Sequence, residues 1–198
     1  MTSVRATALA IAALMFLANS PLLTSDPAAA ASVTPSAVGV AYLFRGGFNV
    51  FSIGVDVLAA KLRARGVEAR SEGHADWPER ATEAAARYAA TQLPIVIVGH
   101  SFGANAAVLM AAKLNESRTP VALLILYDIV SSMKVSANVR HVMDFVSTDG
   151  RTAGITVTGD RDFTGRIDRI DAPHGHFTVD KDPRNHDISI AAILRVVK

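Results

Sequence analysis

Residues 94–114 read "PIVIVGHSFGANAAVLMAAKL". A run of β-branched residues, Ile95 to Val98, stops at Gly99-His100-Ser101-Phe102-Gly103 and restarts at once as an Ala-rich stretch. β-Branched side chains favour strands, and alanine favours helices. The stretch therefore predicts a strand over 95–98, a sharp corner, and a helix over 102–114. The corner matches G-x-S-x-G. In that pattern the serine sits on a strained turn with its hydroxyl projecting from the top of a sheet, and the glycines let strand and helix approach closely. A serine in a Gly-rich turn can also be a plain helix N-cap. The strand before it and the helix after it are the context that the reactive reading requires.

Outward from this corner the chain alternates. Val38 to Phe44 (VGVAYLF) is a short apolar run broken by Arg45-Gly46-Gly47, as for a buried strand entering a tight loop. Ile53 to Arg65 carries Val57, Leu58 and Leu62 at helical spacing, and Gly66 stops it. Val67 to Ser71 reads as a strand. Pro78 opens a helix that runs through Glu79 to Gln92. Val121 to Tyr127 (VALLILY) is continuously apolar, as expected of a strand buried on both faces of a parallel sheet. Val139 to Val146 predicts a further strand. Ile155 to Thr158 and Arg166 to Ile170 alternate like a hairpin around Gly159 or Gly165. Pro183 to Val197 predicts a last helix. The alternation predicts an α/β fold: a mostly parallel sheet with helices on both faces.

A reactive serine needs a base, an acid to orient it, and donors for a developing oxyanion. In this architecture the acid and then a histidine follow the serine along the chain. His74, His100 and His141 are wrongly placed for the base. His176, in Pro173-His174-Gly175-His176-Phe177, follows the last expected strand and is favoured over His174. His186 lies inside the last helix and reads as a surface residue. For the acid, Asp128 ends the VALLILY strand at the edge where Ser101 would lie. Asp162, in Gly159-Asp160-Arg161-Asp162, and Asp149, after the 139–146 strand, are the alternatives. The amide of Phe102 at the helix start and that of Gly47 in the Gly-Gly loop are the candidate oxyanion donors. Arg45 is placed to orient that loop or to meet an anionic group.

The rest of the chain bounds these possibilities. Residues 1–31 read as a signal peptide: Arg5 precedes the apolar run Ala6 to Ala18, and Ala29-Ala30-Ala31 offers small residues for cleavage. The run is short for a bilayer span, which takes about 20 residues. Residues 32–37 read as a linker and 38–198 as one domain, so the expected location is exported, periplasmic or secreted, with no stable membrane span after cleavage. Cysteine is absent, which removes disulfides, thiol nucleophiles and zinc–thiolate sites. The formal net charge of +2 is spread without a basic cluster, so no nucleic-acid partner is expected. No cofactor is expected, since nucleotide-binding glycine motifs are missing. No metal is expected either, because His174 and His176 alone would not hold an ion.

With GHSFG, the early FRGGF loop (44–48) and the late HGHF (174–177), the chain resembles the α/β-hydrolase superfamily, of the small serine lipase, esterase and thioesterase kind, over roughly residues 38–197. The resemblance implies Ser101 as nucleophile, His176 as base, and Phe102 and Gly47 as oxyanion hole. It departs from that pattern in having no obvious strands before Val38 and no lid between Asp128 and Val139, which favours a compact, open site. The expected function is a serine hydrolase acting on a small acyl ester or thioester. An acyltransferase using the same serine, and a non-catalytic exported binding protein with this fold, are the competing readings.

Overall fold

The computed structural model describes residues 39–47 and 52–197. The expected signal peptide 1–31, the linker 32–37 and Phe48 of the early loop lie outside the described residues. In chain order the elements are β1 (Val40–Arg45), α1 (Ile53–Arg63), β2 (Glu68–Gly73), a short 3₁₀ turn (His74–Asp76), α2 (Trp77–Thr91) and β3 (Ile95–His100). Then come α3 (Phe102–Glu116), β4 (Leu123–Tyr127), β5 (Met133–Val135), β6 (His141–Ser147), β7 (Val157–Gly159), β8 (Arg166–Ala172) and α4 (Pro183–Val196).

Six strands form one sheet in the order β2-β1-β3-β4-β6-β8, and every pairing is parallel. Successive side chains of a strand point to opposite faces. In β1, Tyr42 and Phe44 pack with Ile95, Ile97, Leu124 and the alanines of α2 and α3. Ala41 and Leu43 pack on the other face with Val96, Val98, Leu123 and with Leu58 and Leu62 of α1 and Ile190 and Ile193 of α4. Both faces are covered, which is why β1, β3 and β4 read as unbroken apolar runs. Each such large side chain, fully buried, contributes about 1.5–3 kcal/mol. The strands are therefore a rigid frame for the residues at their ends. This is the α/β-hydrolase fold, and among the described residues no helical lid stands between β4 and β6.

Two expectations are corrected. Residues 155–158 and 166–170 do not form a hairpin. β7 pairs in parallel with β5 in a separate two-stranded ladder, and β8 joins β6 in parallel in the main sheet. β8 is an edge strand with most side chains exposed or half-buried, so its polar–apolar alternation reports one-sided exposure rather than a hairpin partner. His186 is not a surface residue. It is 1% exposed, its Nε2–H donates to the Asp180 carbonyl at 2.6 Å, and its Nδ1 faces Lys61 Nζ at 3.2 Å. The buried face of α4 includes Asn185 and His186 because Asp180 and Val179 pack under its first turn.

Candidate active site

The corner between β3 and α3 is a strained turn. Ser101 has φ 58° and ψ −126°, a conformation costing on the order of 1–3 kcal/mol for a residue with a Cβ. Its amide donates to the Tyr127 carbonyl at 3.0 Å, and its carbonyl accepts from the Ala104 amide at 2.9 Å. A Cβ at Gly99 would overlap the carbonyl of Gly103, and a Cβ at Gly103 would overlap that of Phe44. Both glycines are therefore required for the helix to cross so close above β1 and β3.

Asp128 lies at the end of β4, one strand over, also with positive φ (50°). Its carboxylate is 1% exposed and accepts four hydrogen bonds. Oδ1 accepts from the Ser147 amide at 2.8 Å and the Thr152 hydroxyl at 2.6 Å. Oδ2 accepts from the Ser147 hydroxyl at 2.9 Å and from His176 Nδ1–H at 2.5 Å. Burial pushes its pKa up, but the hydrogen bonds from His176, Thr152 and Ser147 outweigh that and hold it down to about 2. An ionised carboxylate only accepts, so His176 carries its proton on Nδ1. The other nitrogen, Nε2, then accepts from the Ser101 hydroxyl at 3.1 Å.

His176 stands in the loop between β8 and α4, 5% exposed, and its main chain is fixed from two sides. Its amide donates to Asp149 Oδ2 at 3.0 Å. Its carbonyl accepts from His100 Nε2–H at 2.7 Å. The amides of His176 and Arg151 hold the Asp149 carboxyl below its usual range. Thus Asp128 touches the imidazole and Asp149 touches its backbone. Asp162 is exposed, bonded through its amide to Asp160. His174 faces Asp182 at 2.6 Å and does not reach Ser101.

Phe102, the first residue of α3, presents its N–H at a helix terminus, where the early amides have no intrahelical acceptor. Gly47 lies against the Phe102 ring and lines the same cleft. The loop is held by its neighbour: the Gly46 amide donates to the Ser52 hydroxyl at 2.8 Å, and that hydroxyl meets His100 Nδ1 at 2.7 Å. A carbonyl can only accept, so the neutral His100 ring donates from Nε2 and accepts Ser52 O–H at Nδ1. Burial pushes the His100 imidazole below its ordinary pKa, which keeps it neutral. Behind it Asp180 Oδ2 lies 3.9 Å from Nδ1 and accepts from the Gly54 amide at 3.1 Å. His100 and Ser52 therefore tie the Gly46 loop to the His176 loop, a role that sequence reasoning missed. The only available signal was that His100 precedes the serine inside the motif. Arg45 pairs with Asp56 at 2.9 Å instead of facing the cleft.

The cleft over Ser101 is an open cavity of about 290 Å³ walled by Gly47, Phe102, Val130, Arg151 and Phe177. A larger one, about 390 Å³, opens among Tyr88, Pro94 and Arg140 at the opposite end of the strands. It holds no serine–histidine pair, and ligand sites of open parallel sheets form at the carboxyl ends of the strands. Among the described residues no group of three or more His, Asp or Glu is placed to hold a metal ion, and no helix is long and apolar enough to cross a membrane.

No protein-family model matches the chain, and no curated protein is significantly similar in sequence. Solved structures do resemble it. Human thioesterase 2 superposes with a TM-score of 0.51 at 12% identity, over 81% of this chain and 96% of that one. A protein from Xanthomonas campestris pv. campestris, named as a hydrolase of the α/β superfamily, gives a TM-score of 0.49 at 16% identity, over 80% of this chain and 98% of that one. At 12% identity the likeness to thioesterase 2 is one of fold.

Proposed function

We propose that the protein is a serine hydrolase that cleaves a small acyl ester or thioester through an acyl-enzyme on Ser101. One observation carries this reading: the continuous chain of hydrogen bonds from Asp128 through His176 to the hydroxyl of a strained serine at the C-terminal edge of the sheet. Ser101 Oγ attacks the acyl carbonyl carbon while His176 Nε2 takes its proton. The carbonyl oxygen becomes an oxyanion that the amides of Phe102 and Gly47 receive, aided by the α3 terminus. Asp128 holds the imidazole in the required tautomer and stabilises the imidazolium. The carbon–oxygen or carbon–sulfur bond then breaks, and the proton on Nε2 goes to the departing alcohol or thiol. Water, activated by the same nitrogen, attacks the acyl-serine and releases the acid, restoring Ser101.

Acyl transfer to an alcohol would use the same acyl-serine, and release of the free acid in water distinguishes hydrolysis from it. Turnover of p-nitrophenyl esters and acyl thioesters of graded chain length tests the reading. Release of p-nitrophenol or thiol by the wild type, lost in Ser101→Ala, is expected. Equal release by both proteins would contradict it. We further propose that the mature chain begins near Ser32 and is exported, on the strength of the Arg5, apolar and Ala-rich succession. Intact mass of the exported fraction checks this, and a full-length cytosolic product would refute it.

A further inference from the structure

The proposed reaction leaves one charged side chain at the cleft without a task. Arg151 lies in the link between β6 and β8 and lines the cavity together with Phe102, Val130 and Phe177. It is the only permanently charged side chain among the described residues of that lining. Its guanidinium carbon stands 5.2 Å from the centre of the Phe177 ring. That ring in turn sits edge-on to the His176 imidazole, their centroids 5.0 Å apart. The guanidinium is thus held against the aromatic wall of the site by a cation–π contact.

Its pairing within the protein is weak. Asp149 Oδ2 lies 3.9 Å from Nε, beyond hydrogen-bond range. The Asp149 oxygens are already engaged: Oδ1 accepts from the Arg151 amide, and Oδ2 from the His176 amide. The Arg151 guanidinium makes no hydrogen bond to another described residue. A guanidinium offers five donors in a planar fork that matches two oxygens of a carboxylate or phosphate. Here the fork is exposed, oriented by Phe177, and beside two apolar rings that half-face solvent.

We infer that the substrate bears an anionic oxygen group, a carboxylate or a phosphate, which Arg151 binds while the apolar part of the molecule lies against Phe102 and Phe177. The inference rests on the hydrolase reading of the preceding subsection. The cavity of about 290 Å³ holds the part of the molecule that lies between Ser101 and Arg151.

Two matched pairs of esters test it. p-Nitrophenyl butyrate against p-nitrophenyl hemiglutarate places the charge in the acyl part. Phenyl acetate against 4-acetoxybenzoate places it in the leaving group. In at least one pair the wild type should favour the anionic ester in kcat/KM by roughly ten-fold, the scale of one charge-assisted contact at a half-exposed site. Arg151→Gln should bring that ratio to near one, and Arg151→Glu should invert it. Raising the salt should shrink the wild-type ratio by screening. Equal kcat/KM within both pairs, or a ratio that survives in Arg151→Gln, overturns the inference while leaving the hydrolase reading intact. No turnover of any of the four esters overturns the inference, and if Ser101 also takes up no fluorophosphonate the hydrolase reading falls with it.

Discussion

His100 and His176 are coupled through the main chain: His100 Nε2–H donates to the His176 carbonyl at 2.7 Å, and the two rings lie 5.1 Å apart. The other His100 nitrogen receives the Ser52 hydroxyl, which itself receives the Gly46 amide. One buried imidazole therefore holds both the His176 main chain and the loop that carries the Gly47 amide. For the proposed reaction His100 would be a positioning residue. His100→Leu should lower kcat by roughly 10- to 100-fold, since a misplacement of about 1 Å costs on that order, with KM little changed. It leaves the buried His176 carbonyl without its donor and the Ser52 hydroxyl proton without its acceptor, costing about 1–3 kcal/mol of stability. His100→Gln, which keeps a donor and an acceptor, should recover part of kcat. Steady-state kinetics beside thermal unfolding separate the two effects. An unchanged kcat in His100→Leu would refute the positioning role.

The three carboxylates should differ sharply. Asp128→Asn removes the acceptor that fixes the His176 tautomer and should cost on the order of 10⁴-fold in kcat. Asp149→Ala frees the His176 amide and should cost roughly ten-fold through misplacement. Asp162→Ala, on an exposed turn, should leave kcat unchanged. Comparable losses in Asp128→Asn and Asp162→Ala would remove the basis for assigning Asp128.

Backbone strain at Ser101 gives a stability signature independent of substrate. Glycine tolerates positive φ at no steric cost, whereas alanine keeps the Cβ penalty. Ser101→Gly should therefore be more stable than Ser101→Ala by about 1 kcal/mol, the reverse of the order in an ordinary helix or strand. Denaturant midpoints of the two inactive variants check it. A lower midpoint for Ser101→Gly would mean that the turn is unstrained.

Asp144 on β6 makes stability depend on pH. It is 3% exposed, and its Oδ1 has no hydrogen-bond partner among the described residues. Burial pushes its pKa up to about 6, with Arg169 lowering it and Asp128 raising it. A raised folded pKa favours the fold while the acid is protonated. That contribution is complete below about pH 4 and is lost as pH rises through about 6, amounting to about 3 kcal/mol. Asp128 has the opposite sign: its stabilisation is present above about pH 4 and is lost as pH falls through about 2. Asp144→Asn should flatten the decline between pH 4 and 6.5 and be more stable than the wild type at pH 7. Parallel stability–pH curves for the two proteins would contradict this.

The frame of this fold is written in local patterns, and its site is only partly so. β3, α3 and β4 are legible because both faces of the sheet are buried, so burial, period and the G-x-S-x-G corner agree. β8 is misread because RIDRIDA sits at an open edge, where alternation reports exposure and is silent on strand direction. The choice among Asp128, Asp149 and Asp162 turns on a pairing that no local pattern carries. β4 and β6 lie side by side with Tyr127 opposite Phe145, which brings Asp128 beside Ser147 and, two residues on, Asp149. His100 and Ser52 meet through side chains from separate elements and hold a main-chain carbonyl of a third. Nothing in spacing or composition announces such a contact.

The proposed reaction depends on Ser101 acting as a nucleophile. Reaction of the folded protein with a fluorophosphonate, followed by intact-mass and peptide mapping, tests it most directly, because the probe needs an activated serine and no knowledge of substrate. One phosphonyl group per wild-type chain is expected, carried on Ser101, with labelling strongly slowed in Asp128→Asn and absent in Ser101→Ala. A folded wild type that takes up no label, or a Ser101→Ala protein that takes up as much as the wild type, would contradict it.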